Sequence, residues 1–429
     1  MLERRREGSG EEQGLCVCAI LGLGENQLRE RARAGAAVEV EGRRIERTGM
    51  ESNGSSKLRV AIIHPDLGIG GAERLIVDAA VELVKHGHHV HVFTSHLDKN
   101  RCFEETLSGS FSVTVYGSFL PRHIFYHLHA VCAYLRCIFV ALGVLLMWPL
   151  FDVILADQVS AVIPILKCKK STKVVFYCHF PDLLLAQHTT FLRKTYRKPI
   201  DFVEELTTGM ADLILVNSKF TASTFAKTFK NLNARRIRPA VLYPAVNVEQ
   251  FNKPHPSKLN FLSINRYERK KNIGLAISAF AKLYTLKEDL RGGNLESASL
   301  TIVGGYDSRL RENVEYLDEL KYLAEKEGVS RRDEHFGIVP LEAMAAYKPV
   351  IACNSGGPVE TIKNGVTGFL CDPTPLEFSR AMAQLIDNPG MAERMGLEAQ
   401  EHVTGSFSTK IFGQHLDRYL VDVTRQKMD

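Results

Sequence analysis

From Leu58 onward, short apolar runs alternate with longer stretches of helical periodicity, and this alternation restricts the fold more than any other feature of the chain. Leu58–His64, Val90–Ser95, Ser112–Tyr116, Phe151–Ala156, Lys173–Tyr177, Leu213–Val216 and Val241–Tyr243 read as strands, with helices between most of them. Strands joined through helices run parallel, and a parallel sheet must be covered on both faces, so an α/β architecture is expected. Leu75, Ile76, Ala79, Ala80, Leu83 and Val84 recur on one face of the first such helix. Val246–Lys258, polar with two prolines, reads as a linker, and a second alternating set follows it to a last helix, Lys410–Arg425. At 429 residues the chain has room for two domains. The expected division is a disordered tail over 1–57, one α/β domain over 58–250 and a second over 251–429.

The tail is rich in Glu, Arg and Gly, broken by one short apolar run, Leu15–Leu23. Arg4–Arg6 faintly mimic the start of a signal peptide, but Glu3, Glu7, Glu11 and Glu12 do not suit one. The nine cysteines are scattered without a C-x2-C pair, which reads as free thiols in a reducing compartment. A net charge of +5 is mild and diffuse, so nucleic acid is not an expected partner.

Three runs in the second half carry chemistry. Glu334-His335-Phe336-Gly337-Ile338-Val339-Pro340-Leu341-Glu342 sets two carboxylates eight residues apart ahead of a helical stretch, Leu341–Ala346. In one continuous helix both acids would share nearly the same face. With Gly337 loosening the start, Glu334 instead lies in the loop above the helix N-terminus. Asn265-Arg266-Tyr267-Glu268-Arg269-Lys270-Lys271-Asn272 joins a strand, Asn260–Ile264, to a helix, Ile273–Tyr284, and places Arg266 and Lys271 where cations clamp a diphosphate. Asn354-Ser355-Gly356-Gly357 follows the strand Pro349–Cys353 and leaves backbone amides open to a ligand. Taken singly, each run also reads as a solvated loop or helix face.

In the first half, Pro65-Asp66-Leu67-Gly68-Ile69-Gly70-Gly71 joins a strand to a helix, a glycine turn of the kind that receives anions. Its spacing is not that of a dinucleotide fingerprint, and a purely structural turn is the alternative. His179 ends the strand Lys173–Cys178, where ligands of open α/β sheets bind. A satisfied buried histidine is the alternative there.

The runs 64–74, 177–185 (Tyr-Cys-His-Phe-Pro-Asp-Leu-Leu-Leu), 199–205 (Pro-Ile-Asp-Phe-Val-Glu-Glu), 263–272 and Glu-His-Phe-Gly at 334–337 form a set. Together they resemble the α-1,3/1,6-mannosyltransferases that extend the dolichol-linked oligosaccharide, retaining glycosyltransferases of the two-Rossmann (GT-B) type. The resemblance runs from about Leu58 to the last helix. It implies a GDP-mannose donor, a Man-GlcNAc2-pyrophosphate-dolichol acceptor and successive α-1,3 and α-1,6 additions. It implies no metal and no further cofactor, and it places the activity at the cytosolic face of the endoplasmic reticulum membrane. Other mannosyltransferases of the pathway are further candidate partners. By the same resemblance, Arg266 and Lys271 hold the diphosphate, Glu342 takes the ribose and Glu334 the mannose, and Gly337 belongs to the donor site. His179 hydrogen-bonds the transferred sugar, while Gly70 and Gly71 admit the donor phosphate or the acceptor. Retention then proceeds by front-side displacement assisted by the leaving phosphate.

Cys137–Phe151 is uncharged and apolar for 15 residues, short of the roughly 20 that span a bilayer. A core helix and a membrane-dipping helix both fit; surface insertion is favoured because a dolichol substrate stays in the bilayer. One departure from the resemblance is large. The family places a strand, a helix and another strand ahead of the Glu-His-Phe-Gly run, whereas here Val329-Ser330-Arg331-Arg332-Asp333 links the preceding helix directly to Glu334. Such a loss should leave strand edges exposed in the second domain. Three functions are therefore in play: an active mannosyltransferase, a related transferase with another acceptor, and an internally deleted chain that acts only as a binding partner.

Overall fold

The computed structural model describes residues 19–21, 57–121, 129–147, 150–185, 191–251, 260–285, 298–304, 310–328, 333–334 and 340–425. It divides into two compact units, one of Arg47–Ala245 with Phe407–Asp429, the other of Met1–Glu46 with Val246–Ser406. Of the tail expected to be disordered, Ala19–Leu21 form a strand, β1, that belongs to the second of these units. The remainder of 1–56 lies outside the described residues.

The first unit holds seven strands: β2 (Arg59–His64), β3 (His89–Thr94), β4 (Ser112–Val115), β5 (Val153–Asp157), β6 (Lys173–Cys178), β7 (Leu213–Val216) and β8 (Ala240–Val241). They are all parallel, in the order β4-β3-β2-β5-β6-β7-β8. Successive side chains of a strand face opposite ways, so each strand feeds two cores. Val60, Ile62, Leu155, Val175 and Tyr177 meet helix α1 (Gly71–Lys85) and the C-terminal helix Thr409–Arg425 on one face. Ala61, Ile63, Ile154, Ala156, Val174 and Phe176 meet α2 (His129–Met147) on the other.

The C-terminal helix, counted by sequence with residues 251–429, is held in this unit by specific contacts. Leu58 N–H donates to His88 Nδ1 at 3.0 Å, so Nε2 carries the proton and donates to Asp417 at 2.7 Å. Gly413 lets the helix approach α1, because a Cβ there would stand 2.6 Å from Glu82 Cβ.

Helix α2 resolves the two readings of 137–151 into two faces. Cys137, Val140, Ala141 and Val144 are buried in the core, while Leu142 and Leu146 on the opposite side are 40% and 78% exposed and Met147, at the helix end, is 63% exposed. Among the described residues no helix is long and apolar enough to cross a membrane. Helix α3 (Phe191–Thr208) also presents apolar side chains to solvent, Phe202 and Leu206.

The second unit adds β9 (Asn260–Ile264), β10 (Ser299–Val303), β11 (Asp333–Glu334), β12 (Val350–Cys353) and β13 (Gly368–Cys371). The order is β11-β10-β9-β1-β12-β13, parallel throughout except for β1, which runs antiparallel to both neighbours. Helices α4 (Gly274–Thr285), α5 (Arg311–Lys326), α6 (Pro340–Ala345) and α7 (Pro375–Asp387) follow the strands. Phe261, Ile351, Phe280, Phe378 and Met382 form the main core, and Ile273, Ile277, Tyr316 and Leu320 a second one under α5. As expected from the sequence, the strand–helix–strand that the family places between α5 and the Glu-His-Phe-Gly run has no residues here, since residues 327–333 alone separate the two. Among the described residues, Asp333 and Glu334 alone pair with β10 on the side away from β9, at the sheet edge.

Candidate functional site

In a doubly wound sheet, ligands bind beyond the carboxyl ends of the strands where the strand order reverses. In the first unit the chain moves outward from β2 through β3 to β4, then restarts beside β2 with β5 and moves the other way. The switch point thus lies between β2 and β5, and their last residues are His64 and Asp157.

His64 Nδ1 and Asp157 Oδ2 are 2.7 Å apart, both side chains essentially inaccessible. The other carboxylate oxygen faces His179, whose Nε2 lies 2.9 Å from Asp157 Oδ1, off the alignment of a good hydrogen bond and so mainly an electrostatic contact. Burial opposes charge on Asp157, yet His179 and His64 more than offset it and hold the carboxyl down to about 2. Burial likewise opposes charge on His179, but the Asp157 carboxylate outweighs it, with Glu73 adding to the effect, and the imidazole is raised above its ordinary range. His179 is a quarter exposed and keeps a ring nitrogen for a ligand.

The loop that carries His179 is fixed from two sides. Asn217 Nδ2 donates to the His179 carbonyl at 3.0 Å. Glu204 on α3 accepts from the backbone N–H groups of Asp182 and Leu183 at 2.7 and 3.0 Å, capping the turn Asp182–Leu185. Burial pushes the Glu204 carboxyl up to about 7, the two amides pulling the other way. The runs 177–185 and 199–205 are therefore one structural unit. Gly70 and Gly71 open α1; as N-cap, Gly70 supplies no side-chain cap, and the Glu73 carboxylate of the first turn lies against Gly70. Gly70 is extended, and no Cβ at Gly71 would touch anything within 4 Å.

His64 and Asp157 escaped the sequence reading. The legible sign was an acid closing the apolar run Val153–Ala156, where a charge would not stay buried without a partner.

In the second unit the reversal lies between β9 and β12, with β1 in the gap. Both strands run antiparallel to β1, hence in the same sense, and their carboxyl ends share one edge. There Arg266 follows β9, its guanidinium 65% exposed and paired with Glu268 at 2.9 Å. The pair is lopsided, since the Glu268 carboxylate is only 15% exposed while the guanidinium reaches solvent. Lys271 closes the single turn Arg269–Lys271, half-buried, before Asn272 takes the left-handed conformation, φ 47°, that releases the chain into α4. Gly304, past β10, lies so close to the Asn265 carbonyl that no side chain fits there. Gly356, φ 65°, and Gly357 follow β12 on the same edge.

Glu342 sits half-buried in the first turn of α6. Glu334 departs from expectation: it ends β11, opposite Val303, rather than lying in a loop above the helix. β11 stands four strand positions from β12, about 19 Å at ~4.8 Å per strand, so Glu334 and Gly356 are at opposite sides of the sheet edge. Gly337 lies outside the described residues.

Residues 69–250 match the family model for glycosyltransferase family 4, and residues 329–402 that for glycosyl transferases group 1. The alpha-1,3/1,6-mannosyltransferase ALG2 of Homo sapiens is 44% identical over 416 residues, covering 87% of this chain and 98% of that protein. The Saccharomyces cerevisiae protein of the same name is 37% identical over 439 residues, covering 85% of each. The 416 aligned positions exceed 87% of a 429-residue chain, so the human protein has residues with no counterpart here. Among solved structures, sucrose-phosphate synthase (tll1590) from Thermosynechococcus elongatus aligns with a TM-score of 0.65 at 17% identity, over 85% of this chain and 98% of that one. Anabaena Alr3699/HepE in complex with UDP and glucose gives 0.60 at 17%, over 85% and 100%. At such identities the likeness is one of fold, two Rossmann-like domains.

Proposed function

This chain belongs to the alpha-1,3/1,6-mannosyltransferase family, and on that premise we propose that it transfers mannose from GDP-mannose to Man-GlcNAc2-pyrophosphate-dolichol, α-1,3 then α-1,6. The observation that carries the reading is the identity to the mannosyltransferases over most of the chain, with Arg266 and Lys271 at the strand-order reversal of the second sheet.

The departing GDP gains negative charge as the glycosidic bond breaks. Arg266 and Lys271 neutralise that charge, and neither has to shed a proton to do so. Glu342 accepts from the ribose hydroxyls and Glu334 from the mannose, with Gly337 a further residue of the donor site. His179, whose charged form the Asp157 carboxylate favours, donates to a mannosyl hydroxyl. Gly70 and Gly71 bring the backbone at the start of α1 up to phosphate oxygens or the acceptor. An α-linked donor and product mean retention, by front-side attack with the leaving phosphate taking the acceptor proton. Counter-charge from Arg and Lys makes a metal unnecessary.

The exposed apolar face of α2 suits a membrane surface, here the cytosolic face of the endoplasmic reticulum. Other mannosyltransferases acting on the same lipid-linked acceptor are the natural neighbours. The decisive experiment incubates the purified chain with GDP-mannose and a phytanyl-pyrophosphate Man-GlcNAc2 acceptor and reads the product by mass. Gains of one and then two hexoses are expected; no gain with GDP-mannose alongside a gain with another nucleotide sugar would overturn the donor assignment.

A further inference from the structure

We propose that the gap between β9 and β12 is a strand-accepting slot, and that the chain's own N-terminal segment fills it in place of a strand this chain lacks. Ala19 faces Ser263 and Ile351, Ile20 faces Leu262 and Val350, and Leu21 faces Phe261. β9 and β12 make no ladder with each other; each pairs with β1 and, on its far side, with β10 or β13.

The direction of β1 shows that it is a substitute. Every other pair in the sheet is parallel, as a chain of strand–helix–strand crossovers produces. An antiparallel strand at the centre of such a sheet comes from outside the alternation. It also sits at the place where the order reverses, which the chain skips when it passes from β11 at one edge to β12 on the far side of the gap. The human relative has residues with no counterpart in this chain.

The slot has to be filled. Phe261, Leu262, Val350 and Ile351 are almost wholly buried. An empty gap would leave N–H and C=O groups of both strands unpaired away from water, which folded proteins avoid. The tail offers one sequence able to fill it, the apolar run Leu15–Leu23 among Glu, Arg and Gly. The inference holds whatever sugar nucleotide the second unit binds.

Proline at position 20 removes an N–H from the ladder and opposes strand pairing. Hydrogen–deuterium exchange on the full-length chain is therefore compared for wild type, Ile20→Pro and, as a control outside the strand, Gly35→Pro. Exchange within 260–264 and 350–353 should accelerate about tenfold or more in Ile20→Pro alone, with β2 and β5 unchanged. Unchanged exchange in Ile20→Pro would overturn the proposal. A second measurement keeps the native sequence around the slot and carries a photo-reactive diazirine leucine at position 20. Cross-links to β9 or β12 are expected; cross-links confined to other segments would overturn the proposal independently of how well the proline variant folds.

Discussion

His64 Nδ1 stands 2.7 Å from Asp157 Oδ2 across the point where the first sheet reverses its strand order, both side chains shut off from solvent. That bond turns the second carboxylate oxygen toward His179, so an inaccessible acid sets the charge on a histidine that solvent can reach.

Replacing the acid should therefore act through the histidine. In Asp157→Asn the imidazole of His179 loses the charge that raises it, and its titration, followed by histidine NMR, should move to lower pH. Turnover should fall about 10- to 100-fold, the scale of one lost charge-assisted hydrogen bond. An unmoved His179 titration would remove Asp157 from this role.

Glu204 gives a pH dependence of opposite origin. Its folded value, about 7, lies above the ordinary 4.5, so between these limits the folded chain keeps a proton that the unfolded chain has released. Stability relative to Glu204→Gln should then fall as pH rises from about 4.5 to about 7 and level off beyond, because the unfolded state binds fewer protons there. Denaturant melts of both proteins at several pH values test this; parallel curves would contradict it.

The two faces of α2 should separate in experiment. Serine at Leu142, Leu146 and Met147 should weaken binding to anionic liposomes while the thermal transition stays in place. Val144→Ala, on the buried face, should cost about 1–3 kcal/mol of stability with liposome binding retained. Loss of folding in the triple serine variant would assign both faces to the protein interior.

For the donor half, Glu342→Ala should weaken GDP-mannose binding by about 1–3 kcal/mol in calorimetry. Unaltered affinity would rule out its contact with the ribose.

Glu334, at the sheet edge, stands far from the reversal that Arg266 borders. A displacement of ~1 Å at a reacting centre already costs about 100-fold in rate. Transfer by this chain should thus be at least about 100-fold slower than by a version carrying the strand–helix–strand ahead of Asp333. Equal rates of hexose addition by mass would show that the segment is dispensable.

The sequence made most of the framework legible because buried parallel strands write themselves as apolar runs. β7 and β9 were found to the residue, and β2, β3 and β6 to within one at each end. Arg266 and Lys271 were recognisable because a strand-to-helix junction is local. The His64–Asp157 bond was not, since its partners are 93 residues apart and meet only once β2 and β5 pair. The same applies to Glu334, whose strand exists by virtue of β10, and to Ala19–Leu21, whose neighbours lie in two distant parts of the chain. The link between 177–185 and 199–205 was visible as two motifs, but not as one carboxylate capping one turn.

The first residues of the chain complete the sheet of the second half, and the last helix covers the sheet of the first. During synthesis the N-terminal strand therefore waits, unpaired, until β9 and β12 have left the ribosome, and the first sheet, covered on that face by α1, lacks the rest of its cover until residues 412–423 emerge. Contacts this distant in sequence form late and slowly. A nascent chain of this kind exposes apolar surface at both unfilled places until the distant partner arrives, and is open to aggregation in that interval.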